Sequence, residues 1–419
     1  MSARAPDQYT CEAGECVREA RVNVMKRIGI SGSLWFRSWL YVLGVCVLGW
    51  SAASVAELAD LMPSAPDIAA TSYVLFEPES DTVLLEYRSE VRLPPASLTK
   101  IMTSYVIASE LKRGTITTED AVPISVNAWH KEGSRMFVRE GTRVPVTDLL
   151  HGIIVQSGND ASVAMAEHIA GSESAFANLM NEYAKLIGLS DSHFSNSTGL
   201  PVEDHYTTAL DLAKLAKALI FDFPEHYKIY REKEFTYNNI RQQNRNLLLW
   251  RDPTVDGVKT GHTDDAGYCL VSSAQRDGMR LIAVVMGADS AQSRARESQK
   301  LLKYGFRSFE VVTPYQALDP IHTQRVWMGE TEELAMGLAD DLTVVVPRGK
   351  MDQLEASINI DRYIQAPINR GDVMGSFELS VEGKPVASRD LVALETIVDG
   401  GLFRRLYHWV NLRFLEWME

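Results

Sequence analysis

From Leu98 to Ala108 the chain is apolar on nearly every side of a helix: Leu98, Ile101, Met102, Tyr105 and Ala108 recur at helical spacing, and Val106 and Ile107 close the opposite side. A helix of that kind is a buried one, so the rest of the chain must enclose it. It stops near Lys112-Arg113-Gly114, with basic residues in the last turn and a glycine just beyond. Its first turn carries Ser97 and Lys100, one turn apart on the same face. That is the placement a serine needs if a lysine is to take its proton. The amine must be neutral to do so, which burial and a second nearby cation would favour. The pair alone says little, because Ser109-Glu-Leu-Lys112 repeats it and serine is a common helix cap.

A length of 419 residues allows two domains, or one large domain with additions. With 46% apolar and 23% charged residues the composition is that of a soluble globular protein. A net charge of −13 argues against a nucleic-acid partner. Cys11, Cys16 and Cys46 fall in a disposable leader, which leaves Cys269 alone. Neither a disulfide framework nor a thiolate metal site follows, and no metal or cofactor is expected.

The first 56 residues read as a leader. Met25-Lys26-Arg27 is a basic start, Leu40 to Trp50 an apolar core, and Ser54-Val55-Ala56 a small-residue cleavage site. Met25 is the expected true start, and a membrane anchor is the alternative to cleavage. Residues 57–311 begin with a hairpin of Ser72–Phe76 and Thr82–Tyr87. After the enclosed helix come helical patterns at Val146–Ile154, Asp160–Ala170, Ser174–Ile187 and Thr208–Ile220, then strands near Val258–Gly261, Tyr268–Ala274 and Met279–Met286. Strands, a helical block and strands again predict an α+β fold with helices packed on an antiparallel sheet. Short alternating strands separated by proline and glycine mark residues 312–398 as a small all-β domain. Residues 399–419 predict an amphipathic helix. Phe403, Leu406, Tyr407, Val410, Phe414, Trp417 and Met418 share one face, and Arg404, Arg405, His408, Asn411 and Glu416 lie opposite. Aromatics facing arginines suit a membrane surface, and docking on the neighbouring domain is the alternative.

Two further short motifs stand in order beyond Ser97-x-x-Lys100. Ser157-Gly158-Asn159 lies in a turn between helices, and Lys259-Thr260-Gly261 lies on a strand. Ser-x-Asn also occurs at Ser125 and Ser357, but Lys-Thr-Gly occurs once. Jointly the three resemble the motifs of the penicillin-recognising serine enzymes. Within that group the chain is similar to the low-molecular-mass penicillin-binding proteins that are D-alanyl-D-alanine carboxypeptidases. Leu93–Met102, Gln156–Asp160, Val255–His262, Lys300–Phe306 and Gln324–Trp327 carry the likeness.

The resemblance implies a β-lactamase/transpeptidase-like catalytic domain that takes peptidoglycan stem peptides ending in D-Ala-D-Ala and is acylated by β-lactam antibiotics. Ser97 would attack the carbonyl between the two D-alanines, with Lys100 as general base. Ser157, held between the two lysines, would relay a proton to the leaving amine. Asn159 would hold Lys100 and the substrate amide, and Lys259 would supply the field that keeps Lys100 neutral. Thr260 would meet the terminal carboxylate beside the close approach at Gly261. The family likeness implies an oxyanion hole from the backbone N–H groups of Ser97 and His262. Arg294 is the expected carboxylate clamp, with Arg296 the alternative. Cys269 reads as a small buried hydrophobe. A periplasmic protein attached through its tail to the inner-membrane surface is the implied setting.

Three rival readings remain. A class A β-lactamase would need a Glu-x-x-Leu-Asn segment, and this chain contains no Leu-Asn dipeptide. A D-alanyl endopeptidase of the same family shares the motifs, and only the β-domain and tail tilt against it. A non-enzymatic secreted binding protein would not keep all six polar motif residues together.

Overall fold

The computed structural model describes residues 64–418, so the signal read over residues 1–56 lies outside the described residues. The first hairpin pairs β1 (Ser72–Glu77) with β2 (Thr82–Tyr87). The Glu77 carboxylate holds the turn between them by accepting the backbone N–H groups of Glu79 and Ser80. One 3₁₀ turn, Ala96–Leu98, then leads into α1 (Thr99–Arg113). Every residue from Thr99 to Ala108 is buried, as the apolar pattern required. The helix ends at Gly114, whose left-handed backbone (φ 73°) satisfies the last turn.

α2 (Val146–His151) continues as a wider π turn over Gly152–Gln156, slightly beyond the expected end at Ile154. It stops at Ser157, which is also left-handed (φ 66°). The block is completed by α3 (Asn159–Ala170), α4 (Glu173–Ile187) and α5 (Ala209–Asp222). Ser172 and Thr208 cap the last two through their hydroxyls.

Three long strands follow: β3 (Val255–Thr263), β4 (Gly267–Arg276) and β5 (Met279–Ala288). With the hairpin they make a five-stranded antiparallel sheet in the order β2-β1-β5-β4-β3. Both faces are covered, and alternation along β5 shows how. Ile282, Val284 and Met286 enter the core shared with α1, α4 and α5. Leu281, Ala283 and Val285 enter a second core beneath α6 (Ala291–Ser308). Gly305 of α6 rests on the sheet, where an added Cβ would press on Leu281 and Leu75. The α+β layout read from the sequence is the observed one.

α6 runs directly into β6 (Phe309–Tyr315), the first strand of the all-β domain. The domain continues through β7 (His322–Trp327), β8 (Glu333–Gly337), β9 (Leu342–Pro347), β10 (Leu354–Ile360), β11 (Ile364–Gln365), β12 (Val373–Val381) and β13 (Lys384–Ala393). β6 pairs with β9, and the others form a sheet in the order β10-β12-β13-β8-β7-β11. Val326, Leu334, Val344, Phe377 and Leu391 share its separate core. The chain closes with α7 (Leu402–Met418).

Because Gly305 has no room for a branched side chain, Gly305→Val should cost about 1–3 kcal/mol of stability. Urea unfolding followed by circular dichroism measures this, and an unchanged midpoint would contradict the packing described.

Candidate active site

Lys100 is fully buried on α1, yet among the described residues no carboxylate touches its amine. Its Nζ lies 3.1 Å from Ser97 Oγ, 2.7 Å from Asn159 Oδ1 and 2.6 Å from the Thr198 carbonyl. Both carbonyl oxygens can only accept, so two N–H bonds are committed to them. What remains toward Ser97 is, for a neutral amine, its lone pair. Burial lowers the Lys100 pKa to about 7, and the Arg245 guanidinium pushes the same way. Asp160 and Glu173 oppose them from farther off. The arrangement is that of a base held against a hydroxyl.

The wall beside Lys100 is built from the turn after α2. Asn159 reaches Lys100 with its oxygen, and its Nδ2 donates 2.6 Å to the Glu132 carbonyl. That donor pairing fixes which way round the amide sits. Asp160 is buried and accepts the backbone N–H groups of Met136, Phe137, Val138 and Ala161. Residues 132–138 are thereby held over the cleft. Ser157 lines the cleft from its left-handed position, and among the described residues its buried Oγ has no hydrogen-bond partner. The expected suspension of Ser157 between two lysines is not what this geometry has.

The third piece comes from β3, the edge strand of the sheet. A Cβ at Gly261 would lie 3.0 Å from the Pro95 carbonyl and 3.3 Å from Ala96, so glycine lets the strand meet the Ser97 turn. Lys259 is buried, and its Nζ donates 3.2 Å to the Thr260 carbonyl. Burial first, then Lys100, Arg245 and Arg294, lowers the Lys259 pKa well below the usual lysine range. Lys100 and Lys259 therefore disfavour each other's charge, and Arg245 adds a further cation acting on Lys100.

Ser97, Ser157, Asn159, Thr260, Gly261, His262 and Arg294 all line one cleft of about 760 Å³. Lys100 and Lys259 lie buried against it, so every expected site residue is brought to this place. Arg294 Nη1 donates 2.8 Å to the Gly261 carbonyl, and burial lowers its pKa to about 10. Arg296 instead pairs with Glu297, which decides between the two arginines as far as position goes. His262 is exposed and tilts against Tyr268. Cys269 is buried under the site, where desolvation raises its thiol to about 11.

Two contributors went unread in the sequence. Arg245 lines the cleft and donates 2.8 Å to Ser134 Oγ. The turn Asn196–Gly199 supplies the Thr198 carbonyl, and the Asn196 side chain shapes it by accepting the N–H groups of Thr198 and Gly199. Only the Asn-x-x-Gly turn signal at 196–199 could have pointed to it.

A family profile described as D-alanyl-D-alanine carboxypeptidase, peptidase S11, matches residues 59–290. Another, described as Penicillin-binding protein 5, C-terminal domain, matches residues 309–399. D-alanyl-D-alanine carboxypeptidase DacA of Escherichia coli K12 is 42% identical over 404 residues, covering 94% of this chain and 98% of that protein. DacC of the same strain is 43% identical over 373 residues, with coverages of 87% and 93%. The crystal structure of penicillin binding protein 5 from Haemophilus influenzae superposes with a TM-score of 0.78 at 42% identity, over 80% of this chain and all (100%) of that one. With matches of this extent across both domains, the chain belongs to the D-alanyl-D-alanine carboxypeptidase family of serine enzymes, among the low-molecular-mass penicillin-binding proteins.

Proposed function

We propose that this enzyme removes the terminal D-alanine from peptidoglycan stem peptides through an acyl-serine, and that penicillins acylate the same serine. The observation that carries this is the neutral-amine geometry at Lys100. Ser97 Oγ attacks the carbonyl carbon of the D-Ala-D-Ala bond while its proton passes to Lys100 Nζ. The C–N bond then breaks, and the proton reaches the leaving amine nitrogen by way of the Ser157 hydroxyl. An unpartnered hydroxyl at the cleft wall suits that relay, since it waits for a polar group to arrive. Water attacks the acyl-serine in the second half, with Lys100 again the base.

The carboxylate of the substrate is an anion, and Arg294, Arg245 and the Thr260 hydroxyl are the groups in the cleft that fit it. The N–H groups of Ser97 and His262 serve as the oxyanion hole. Asn159 holds Lys100, but its donor side is turned to Glu132, so its contact with the substrate amide is at most through a second N–H.

The chain is exported, on this reading, to the periplasm and rests on the outer face of the cytoplasmic membrane. α7 supports that. His408 is buried against Trp327 and its Nδ1 accepts the Met328 N–H at 2.8 Å, while Leu412 is buried as well. Arg404 donates to the Glu330 carbonyl and to Glu332. The polar side is the docked one, leaving Phe403 87% and Trp417 81% exposed on the apolar side. Among the described residues no helix is long and apolar enough to cross a membrane.

Ser97→Ala should abolish covalent labelling by a fluorescent penicillin and release of D-alanine from a peptide ending in D-Ala-D-Ala. Ser109→Ala, whose hydroxyl donates to Tyr183, should label like the parent. A labelled Ser97→Ala protein would end the proposal. Since Lys100 must be unprotonated, acylation should fall about tenfold per unit as pH drops below its pKa of about 7 and level off above it. Stopped-flow acylation from pH 5 to 9 reads this, and a flat profile counts against Lys100 as base. Placing aspartate at both Phe403 and Phe414, which touch little of the domain, should keep activity on soluble peptide but abolish sedimentation with anionic lipid vesicles. Undiminished sedimentation would rule out this surface.

A further inference from the structure

A buried chain of hydrogen bonds runs from His205 to the peptide that precedes the nucleophile, and no motif includes it. Ser195 donates its backbone N–H to His205 Nδ1 at 3.1 Å. The ring's proton therefore sits on Nε2, which lies 2.7 Å from Thr99 Oγ1. With that bond accepted, the Thr99 hydroxyl is free to donate, and it reaches the Ala96 carbonyl at 2.8 Å. The Thr99 backbone N–H turns to the same carbonyl. Burial lowers the imidazole's pKa to about 4, so the neutral ring on which this direction depends is the one present.

The end point matters because Ala96 is held in a left-handed conformation (φ 46°) that side-chain-bearing residues rarely adopt. Such a residue stays put only if its surroundings fix it. Gly199 packs its backbone against the same carbonyl, leaving no space there for a Cβ. The Ala96 C=O and the Ser97 N–H belong to one planar trans peptide and point in opposite directions. Whatever fixes the carbonyl aims the N–H.

We infer that Thr99 and His205 are positioning residues that aim the Ser97 N–H at the oxyanion of the acylation transition state. The inference rests on the reading of that N–H as an oxyanion donor. Neither side chain touches substrate: Thr99 is enclosed in α1, and His205 lies behind the Ala96 turn. Their effect should fall on the acylation step and not on binding, because the oxyanion exists only in the transition state.

The test uses the whole protein and benzylpenicillin, separating the dissociation constant of the initial complex from the acylation rate constant. Thr99→Val keeps the shape and removes the hydroxyl. It should slow acylation about ten- to hundredfold while leaving the dissociation constant within about threefold of the parent. Thr99→Ser restores a hydroxyl and should restore the rate. A second pair guards against a valine variant that does not fold. His205→Gln keeps a donor near the Nε2 position and should retain the rate, whereas His205→Asn can replace only the bond to Ser195 and should lose it. Acylation of Thr99→Val at the parental rate, or equal losses in the glutamine and asparagine variants, would overturn the inference. A parent protein that takes no penicillin would instead remove the functional reading beneath it, and the inference with it.

Discussion

A lysine amine enclosed without a counter-ion is the constraint on which this molecule turns. Charging a group in that position costs several kcal/mol unless an anion is at hand. Both nearby carboxylates are engaged elsewhere: Asp160 by four backbone N–H groups, and Glu173 by Lys131 and the Ser197 N–H and hydroxyl. They act on Lys100 only at a distance, which keeps its pKa near neutrality instead of letting burial drive it lower. The cleft thus holds a base with a substantial unprotonated fraction near neutral pH that can still accept a proton.

Keeping the amine in that state requires three segments to meet within hydrogen-bond range, and the backbone is strained where they do. Ala96 and Ser157 both have positive φ, and both lie in the turns that carry site residues. Strain of this sort persists when packing over-determines it. Here α1 is enclosed by one core and α6 closes the other face of the sheet, so the turns between them have little freedom. Glycines do the rest at the closest approaches, Gly261 against Pro95 and Gly199 against Ala96.

What the sequence made legible was whatever has a period or a motif. The enclosure of α1, the succession of three strands at β3 to β5 and the first hairpin were readable from the sequence pattern alone. Ser97, Lys100, Ser157, Asn159, Lys259, Thr260 and Gly261 were readable because three short motifs stand in order. Other contributions had no such signature. The Thr198 group that binds Lys100 is a backbone carbonyl, which every residue possesses, so no side-chain pattern marks it. Arg245 sits in the polar run Gln243–Asn246, where nothing distinguishes it from a solvated arginine. Motif membership pointed to Lys259 as the cation acting on Lys100, and nothing in the sequence marked Arg245, which pushes the same way. Which of two arginines enters the cleft depended on the helical phase of α6, and only one of Arg294 and Arg296 can face the sheet.

The terminal helix carries the same lesson about faces in the opposite direction. An amphipathic helix beside a folded domain would ordinarily bury its apolar side there, because that removes the most apolar surface from water. α7 does the reverse, docking through His408, Leu412 and Arg404. A polar docking face is specific without being strongly hydrophobic: His408 fills one backbone donor's need and Arg404 one carbonyl's. It fixes the helix on β7 and the loop after it while the aromatic side stays outward. In water alone that arrangement leaves a large apolar surface exposed, which soluble monomers seldom tolerate. On the proposed membrane reading the balance reverses at a lipid boundary, where the exposed Phe403, Phe414 and Trp417 would be removed from water.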